Sequence, residues 1–180
     1  MTEFMSVKKV TYMSTKGTKE MSKSWTPPES GIIKLNCDAA FDKISGCATT
    51  AVIARDSSSC LIGGISSSFL ATSASSAEAY AIRLGAILAK EKGYANVIFE
   101  SNNLGVINRL KSNCFTAWES AAVEEDILNL CLNFSSYSFS FIHRSGNVAA
   151  DWVVKAVMNF SCPDDWVFDA PLGLRKLLYV

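Results

Sequence analysis

The spacing of hydrophobic and polar positions changes several times along the chain, and each change marks an element. Ile32 to Phe41 (IIKLNCDAAF) and Cys47 to Arg55 (CATTAVIAR) are short, mostly apolar runs that read as buried strands. A third strand is expected from Cys60 to Ser67, after the polar turn Asp56-Ser57-Ser58-Ser59. The short turns between these runs predict an antiparallel meander. From Ser75 the spacing becomes helical, with Ala79, Ile82, Ala86 and Ala89 on one face as far as Lys92. Ser75 or Ser76 is the expected cap, Glu78 falls in the first turn, and Gly93 ends the helix.

The second half alternates strands and helices. Asn96 to Ser101 (NVIFES) reads as a short buried strand, followed by a helix from about Asn103 to Lys111. This alternation predicts that the fourth strand pairs in parallel with the first. Trp118 to Asn133 is a further helix, with Glu124, Glu125 and Asp126 assigned to its solvated face. Tyr137 to His143 alternates aromatic and serine residues as a half-buried strand does, and Asn147 to Phe160 is a last clear helix, broken by Pro163. The order is β-β-β-α-β-α-α-β-α, without an internal repeat. Residues 1–24 show no sustained period and read as a flexible basic leader. Residues 25–162 form the expected domain, which opens on the extended segment Trp25-Thr26-Pro27-Pro28. Residues 163–180 form an apolar tail, with a short helix near 172–178.

One feature of the first strand does not fit a plain core element. Asp38 stands near its far end, and a carboxylate buried there must be paired, solvated or metal-bound. Glu78 opens the next helix, position 102 follows the fourth strand, and Asp151 lies in the last helix. If the first and fourth strands are neighbours, position 102 falls beside Asp38. Carboxylates gathered in this way repel one another, which points to a divalent cation; oxygen ligands suit Mg2+.

Composition narrows the class. The 180 residues fit one domain, and 49% hydrophobic with 19% charged residues is ordinary for a globular protein. No apolar run approaches a membrane span, and the N-terminus lacks an apolar signal core, so an intracellular, reducing location is expected. The six cysteines form no CxxC pair and the chain has one histidine, which argues against zinc and for free buried thiols. The net charge of zero is uneven: residues 1–24 hold five lysines and two glutamates, and the remainder is acidic. An acidic domain lacks the electrostatic footprint of a strong nucleic-acid binder.

Four motifs in this order, WTPPESGIIKLNCDAAF, SSAEAYAIRLGAILA, VIFESNN and RSGNVAADWVVKA, resemble the ribonuclease H type 1 family. The similarity is to the plant ribonuclease H-like group, found as free-standing proteins and at the ends of retrotransposon reverse transcriptases, and it covers about residues 25–160. It implies an α/β ribonuclease H-like fold, with a five-stranded mixed sheet flanked by helices and its first three strands antiparallel. It also implies hydrolysis of the RNA strand of RNA–DNA hybrids with two Mg2+ ions. Asp38, Glu78 and Asp151 match the family's catalytic carboxylates, and the resemblance makes Asp38, Glu78, Asn102 and Asp151 the metal ligands. Asn147 matches the asparagine preceding Asp151, and Arg144 and Asn147 are assigned to nucleic-acid contact.

Three positions depart from the family pattern. Ala39 replaces a glycine, Asn102 replaces an aspartate, and Phe141 stands where a histidine is expected, with His143 two residues away. Two residues along a strand is roughly 6–7 Å, so the histidine's role is not transferred to His143. Asn102 can offer an amide oxygen but no charge, so the second ion and hydrolysis are both expected to be weakened. Glu100 lies on the same strand face as Asn102, and its plain reading is a solvated acid at a strand end. The tryptophans at 25, 118, 152 and 166 are assigned to core or lid. Two function classes follow: a weakened Mg2+-dependent hybrid ribonuclease, or a catalytically degenerate domain that binds nucleic acid or another protein. A monomer is expected.

Overall fold

The computed structural model describes residues 11–12, 23–115 and 118–179. The strands are β1 (Thr11–Tyr12), β2 (Ile33–Phe41), β3 (Cys47–Arg55), β4 (Leu61–Leu70), β5 (Asn96–Ser101) and β6 (Ser136–Phe141). The helices are α1 (Ala74–Glu91), α2 (Leu104–Ser112), α3 (Trp118–Cys131), α4 (Val148–Met158) and α5 (Leu172–Arg175), with a 3-10 turn at Arg144–Gly146. They build one mixed sheet in the order β1-β6-β5-β2-β3-β4. The β2–β3–β4 meander is antiparallel as expected. β5 pairs in parallel with β2 on one side and with β6 on the other.

Five of these strands are the expected ones. The sixth, β1, comes from the stretch read as a leader and adds two residues beside β6. The rest of that stretch, residues 1–10 and 13–22, lies outside the described residues.

The central strands are buried because helices cover both faces of the sheet. On one face α1, α2 and α3 close over Leu35, Cys37, Val52, Val97 and Phe99. On the other, α4 and the C-terminal segment cover Ala51 and Ile53. The apolar tail is part of this second layer: Trp166, Leu174 and Leu178 are buried against Val153 and Val154. Side-chain alternation along β2 sends Leu35 and Cys37 toward α1 and leaves Asn36, Asp38 and Ala40 on the α4 face.

Local chemistry moved several boundaries and environments from their expected places. Ser73 caps α1, accepting from the Ser76 backbone N–H at 3.1 Å. The helix therefore begins at Ala74, and Glu78 lies past its first turn. Gly93 ends it with φ +69°, a left-handed conformation that costs glycine little. β6 stops at Phe141, and His143 instead caps the 3-10 turn, exposed to solvent, its Nδ1 accepting from the Ser145 N–H. Trp118 is 84% exposed rather than core or lid. As the first residue of α3, it stands ahead of the stripe Ser120, Glu124, Ile127, Cys131 that the helix buries. The cysteines carry free thiols, but Cys47, Cys60 and Cys114 are exposed and only Cys37 and Cys131 are fully buried.

Two acids assigned to solvent are buried. Glu124 is 0% exposed and meets the guanidinium of Arg109 at 2.7 Å, which supplies the charge that a buried carboxylate requires. Glu100 pairs with Lys34 at 3.0 Å and accepts from the Asn36 side-chain amide at 2.9 Å. Its two oxygens are committed to this network, so it does not compensate for the missing charge at Asn102. On the same face the Arg55 guanidinium lies 3.5 Å from the centre of the Trp25 ring. It also donates to the Leu178 carbonyl and to Asn36 Oδ1, both at 2.8 Å. One buried cation thus ties the segment before β2 to the C-terminal end of the described chain.

Candidate metal site

The register of the sheet sets the site. Cys37 of β2 pairs with Ser101, the last residue of β5, so the next residues, Asp38 and Asn102, come side by side. Asp38 is 4% exposed. Asn147, just before α4, donates from Nδ2 to the Cys37 carbonyl at 2.9 Å and to Asp38 Oδ1 at 3.4 Å. These bonds fasten the start of α4 to the end of β2. One turn on, Asp151 takes its place at the helix N-terminus, its N–H donating to the Asn147 carbonyl. From the opposite layer α1 brings Glu78, whose Oε2 accepts a long 3.5 Å bond from Ser101 Oγ.

Electrostatics divide the acids into two kinds. Asp38 and Glu78 take part in no ion pair among the described residues. Burial raises the Asp38 carboxyl to about 7, helped by the charge of Asp151 and partly offset by Arg144, Asn147 and Lys155. Burial, then the charge of Asp38, raises Glu78 to about 8. Burial also pushes up the Cys37 thiol, with Glu78 and Asp38 adding to it, so this cysteine is a packed apolar group and not a nucleophile. Asp151 is different: Oδ2 lies 2.5 Å from Lys155 Nζ, and Oδ1 lies 3.7 Å from Arg144.

These values predict a pH dependence. In the unfolded chain the two carboxyls titrate near 3.9 and 4.3. In the fold they retain protons to about 7 and 8, so their contribution to stability is full below about pH 4 and is lost as pH rises through 7 and 8. Thermal unfolding in EDTA is expected to show a midpoint that falls between pH 5 and pH 8. Millimolar Mg2+ or Mn2+ is expected to remove most of that fall. A midpoint that is flat in EDTA would contradict the buried, unpaired state of these acids.

The donors suit a hard cation. Besides the two unpaired carboxylates, Asn102 Oδ1 is buried without a hydrogen-bond partner, and so is Asn147 Oδ1. Orphaned buried oxygens are costly and rare, and an oxygen-ligated divalent ion would satisfy them. Among the described residues no three His, Cys, Asp or Glu side chains gather closely enough to hold a metal. Asp38 lies close enough to raise Glu78, and Asp151 close enough to raise Asp38, while Asp151 is itself paired with Lys155. A cavity of about 700 Å³ lies between β4 and the C-terminal segment, and none of the site residues lines it.

The register sets Asn102 beside Asp38, Ser101 links Glu78 to the end of β5, and Asp151 lies close enough to act on the charge of Asp38 while it pairs with Lys155. Arg144 is exposed beside Asp151 and available to a ligand. Asn147 is 1% exposed, and its Nδ2 donates to Cys37 and Asp38, which positions α4 against Asp38. Two contributors were missed. Lys155 was legible in principle, because it lies one helical turn from Asp151. Ser101 carried no signal, since only the strand register aims it at Glu78.

A mixed sheet of this order, with acids converging where β2 and β5 end, defines a ribonuclease H-type fold. Solved structures agree. Ribonuclease H1 from the archaeon Halobacterium salinarum superposes with a TM-score of 0.67 over 72% of this chain and 98% of that one, at 15% identity. The N-terminal ribonuclease H domain of Mycobacterium tuberculosis rv2228c gives 0.65 at 14% identity, covering 72% and 95%. LC11 ribonuclease H1, solved in complex with an RNA/DNA hybrid, gives 0.62 at 18% identity, covering 72% and 98%. Residues 36–157 match the model of the family described as "Reverse transcriptase-like", and the chain belongs to that family. Comparison with curated protein sequences gives no match. No helix among the described residues is long and apolar enough to cross a membrane.

Proposed function

We propose that this ribonuclease H-like domain binds RNA–DNA hybrids and, with a divalent cation such as Mg2+, hydrolyses the RNA strand at a reduced rate. The observation that carries this reading is the pair of buried Asp38 and half-buried Glu78, two carboxylates with no ion pair among the described residues, beside the orphaned Asn102 oxygen. A fold that kept these groups for packing alone would hold them at a loss. The family and the hybrid complex of the LC11 relative support the choice of substrate.

When bound, the cation would supply Lewis-acid polarisation of a phosphate oxygen. Asp38, Glu78 and Asn102 would hold it. Asn147 keeps Asp38 in place, and Asp151 presents its carboxylate to solvent at the edge, where it can orient a water. Two features lower the rate: Asn102 contributes an oxygen without charge, and Phe141 offers no proton-carrying group at the end of β6.

The test is hybrid cleavage in Mg2+ and in Mn2+ by the unaltered chain and by a variant carrying Asn102→Asp with Phe141→His. Weak cleavage is expected in the first and at least about tenfold faster cleavage in the second. If neither cleaves and both bind hybrid in a salt-dependent way, the domain is a nucleic-acid-binding module and the catalytic reading is wrong.

A further inference from the structure

The acids at the site face two different environments, and the difference bears on how many ions it takes. Around Asp38, Glu78 and Asn102 the unsatisfied atoms are oxygen acceptors. Around Asp151 the neighbours are donors. Lys155 Nζ stands 2.5 Å from one oxygen and Arg144 3.7 Å from the other, while Asn147 donates to the Asp38 oxygen. A second ion shared by Asp38 and Asp151 would have to settle beside two exposed side-chain cations already drawn to Asp151.

We propose that Lys155 and Arg144 take the place of a second cation at Asp151, so that this site holds one divalent ion. The inference rests on the metal-dependent reading of the site given above. Charge supports it: one divalent ion and Lys155 balance Asp38, Glu78 and Asp151, and Arg144 adds a positive charge beyond that, so a second ion would leave a large excess. The absence of any three-acid cluster among the described residues supports it too, because two carboxylates and an amide are a ligand set for one ion. Asn147 supplies an unpartnered oxygen close to Asp38, open to the one ion. It is 1% exposed, and its Oδ1 has no partner although its Nδ2 is fixed on Asp38 and Cys37. Lys155 and Arg144 are thus positioning residues that set the charge of the site from its rim. Sequence spacing places Lys155 one turn from Asp151 by the ordinary i,i+4 relation of a helix; the missing acid at position 102 gives that common pair its consequence.

The experiment counts Mn2+ ions bound to the full chain, by calorimetry and by loss of the free-ion electron paramagnetic resonance signal. The unaltered protein is expected to bind one ion, and Asp38→Asn to bind none. The variant Lys155→Gln with Arg144→Gln is expected to acquire a second ion, with the second-site affinity raised at least about tenfold. Both side chains are exposed, so the variant keeps the fold, which circular dichroism verifies. Two ions of similar affinity in the unaltered protein, or one ion in both proteins, overturns the inference and leaves the metal-dependent reading standing. No ion in any of them overturns both.

Discussion

Replacing Asp38 by asparagine is expected to abolish Mn2+ binding and to lower hybrid cleavage at least about a hundredfold, because even residues behind the ligands of a metal site contribute 10–100-fold. The same change is expected to stabilise the metal-free protein at pH 8. Asp38 is buried with no ion pair of its own among the described residues, and its carboxyl is raised to about 7 in the fold. At pH 8 it must carry its charge in a setting that disfavours it. Asparagine keeps the shape and an oxygen for the Asn147 bond but removes the charge. The gain is about 2–4 kcal/mol, or about 5–15 °C in the unfolding midpoint for a chain of this size. It shrinks as pH falls and vanishes only below about pH 4, where Asp38 is protonated in the unfolded chain as well as in the fold. A variant less stable than the parent at pH 8 in EDTA, or one that still cleaves hybrid at the parental rate, would sink this account. A residue that stabilises the protein when removed and disables it at the same time is kept for a ligand.

Replacing Arg109 by methionine is expected to cost about 3–5 kcal/mol, the usual consequence of stripping the partner from a buried charge. Glu124 is wholly enclosed, and it accepts from Arg109 Nε at 2.9 and 3.1 Å, from Nη2 at 2.7 Å and from Ser120 Oγ at 2.7 Å. Arg109 Nη2 also donates to Ser75 Oγ at 3.0 Å, in the first turn of α1. The network therefore joins α2, α3 and the helix that carries Glu78. The destabilisation should be accompanied by a severalfold weaker affinity for Mn2+, since the start of α1 loses one of its anchors. Adding Glu124→Leu should recover most of the stability, because no bare carboxylate remains, but not the metal affinity. Chemical denaturation of both variants, with Mn2+ titration alongside, tests the two parts separately. Loss of less than about 1 kcal/mol for the single change would overturn the pairing as the source of this stability.

Much of the fold is legible in the period of the sequence. Cys47–Arg55 and Asn96–Ser101 stand where the apolar runs place them, and the parallel pairing of β2 with β5 follows from the strand–helix alternation. Asp38, Glu78 and Asp151 are conspicuous because acids interrupt apolar elements. The environment of each acid is not legible. Glu124 and Glu125 are adjacent acids on one helix, yet one is enclosed with an arginine fifteen residues back and the other faces water. Glu100 was assigned to solvent because its neighbours in sequence could not reveal Lys34 and Asn36 across the sheet. His143 left its expected strand because a serine two residues on offered it a turn to cap.

The chain's periodicity determines its elements and their order, since burying apolar residues at a strand or helix period is a local requirement written into neighbouring positions. It also determines which acids are candidates and that position 102 is an amide. The tertiary structure alone decides what those acids meet. Register places Asn102 beside Asp38, helix packing leaves Asp38 and Glu78 without an ion pair among the described residues, and the turn before α4 together with α4 gives Asp151 two cations. A charge is stabilised by what lies within a few ångströms in space, and those neighbours come from positions as much as 109 residues apart in the chain.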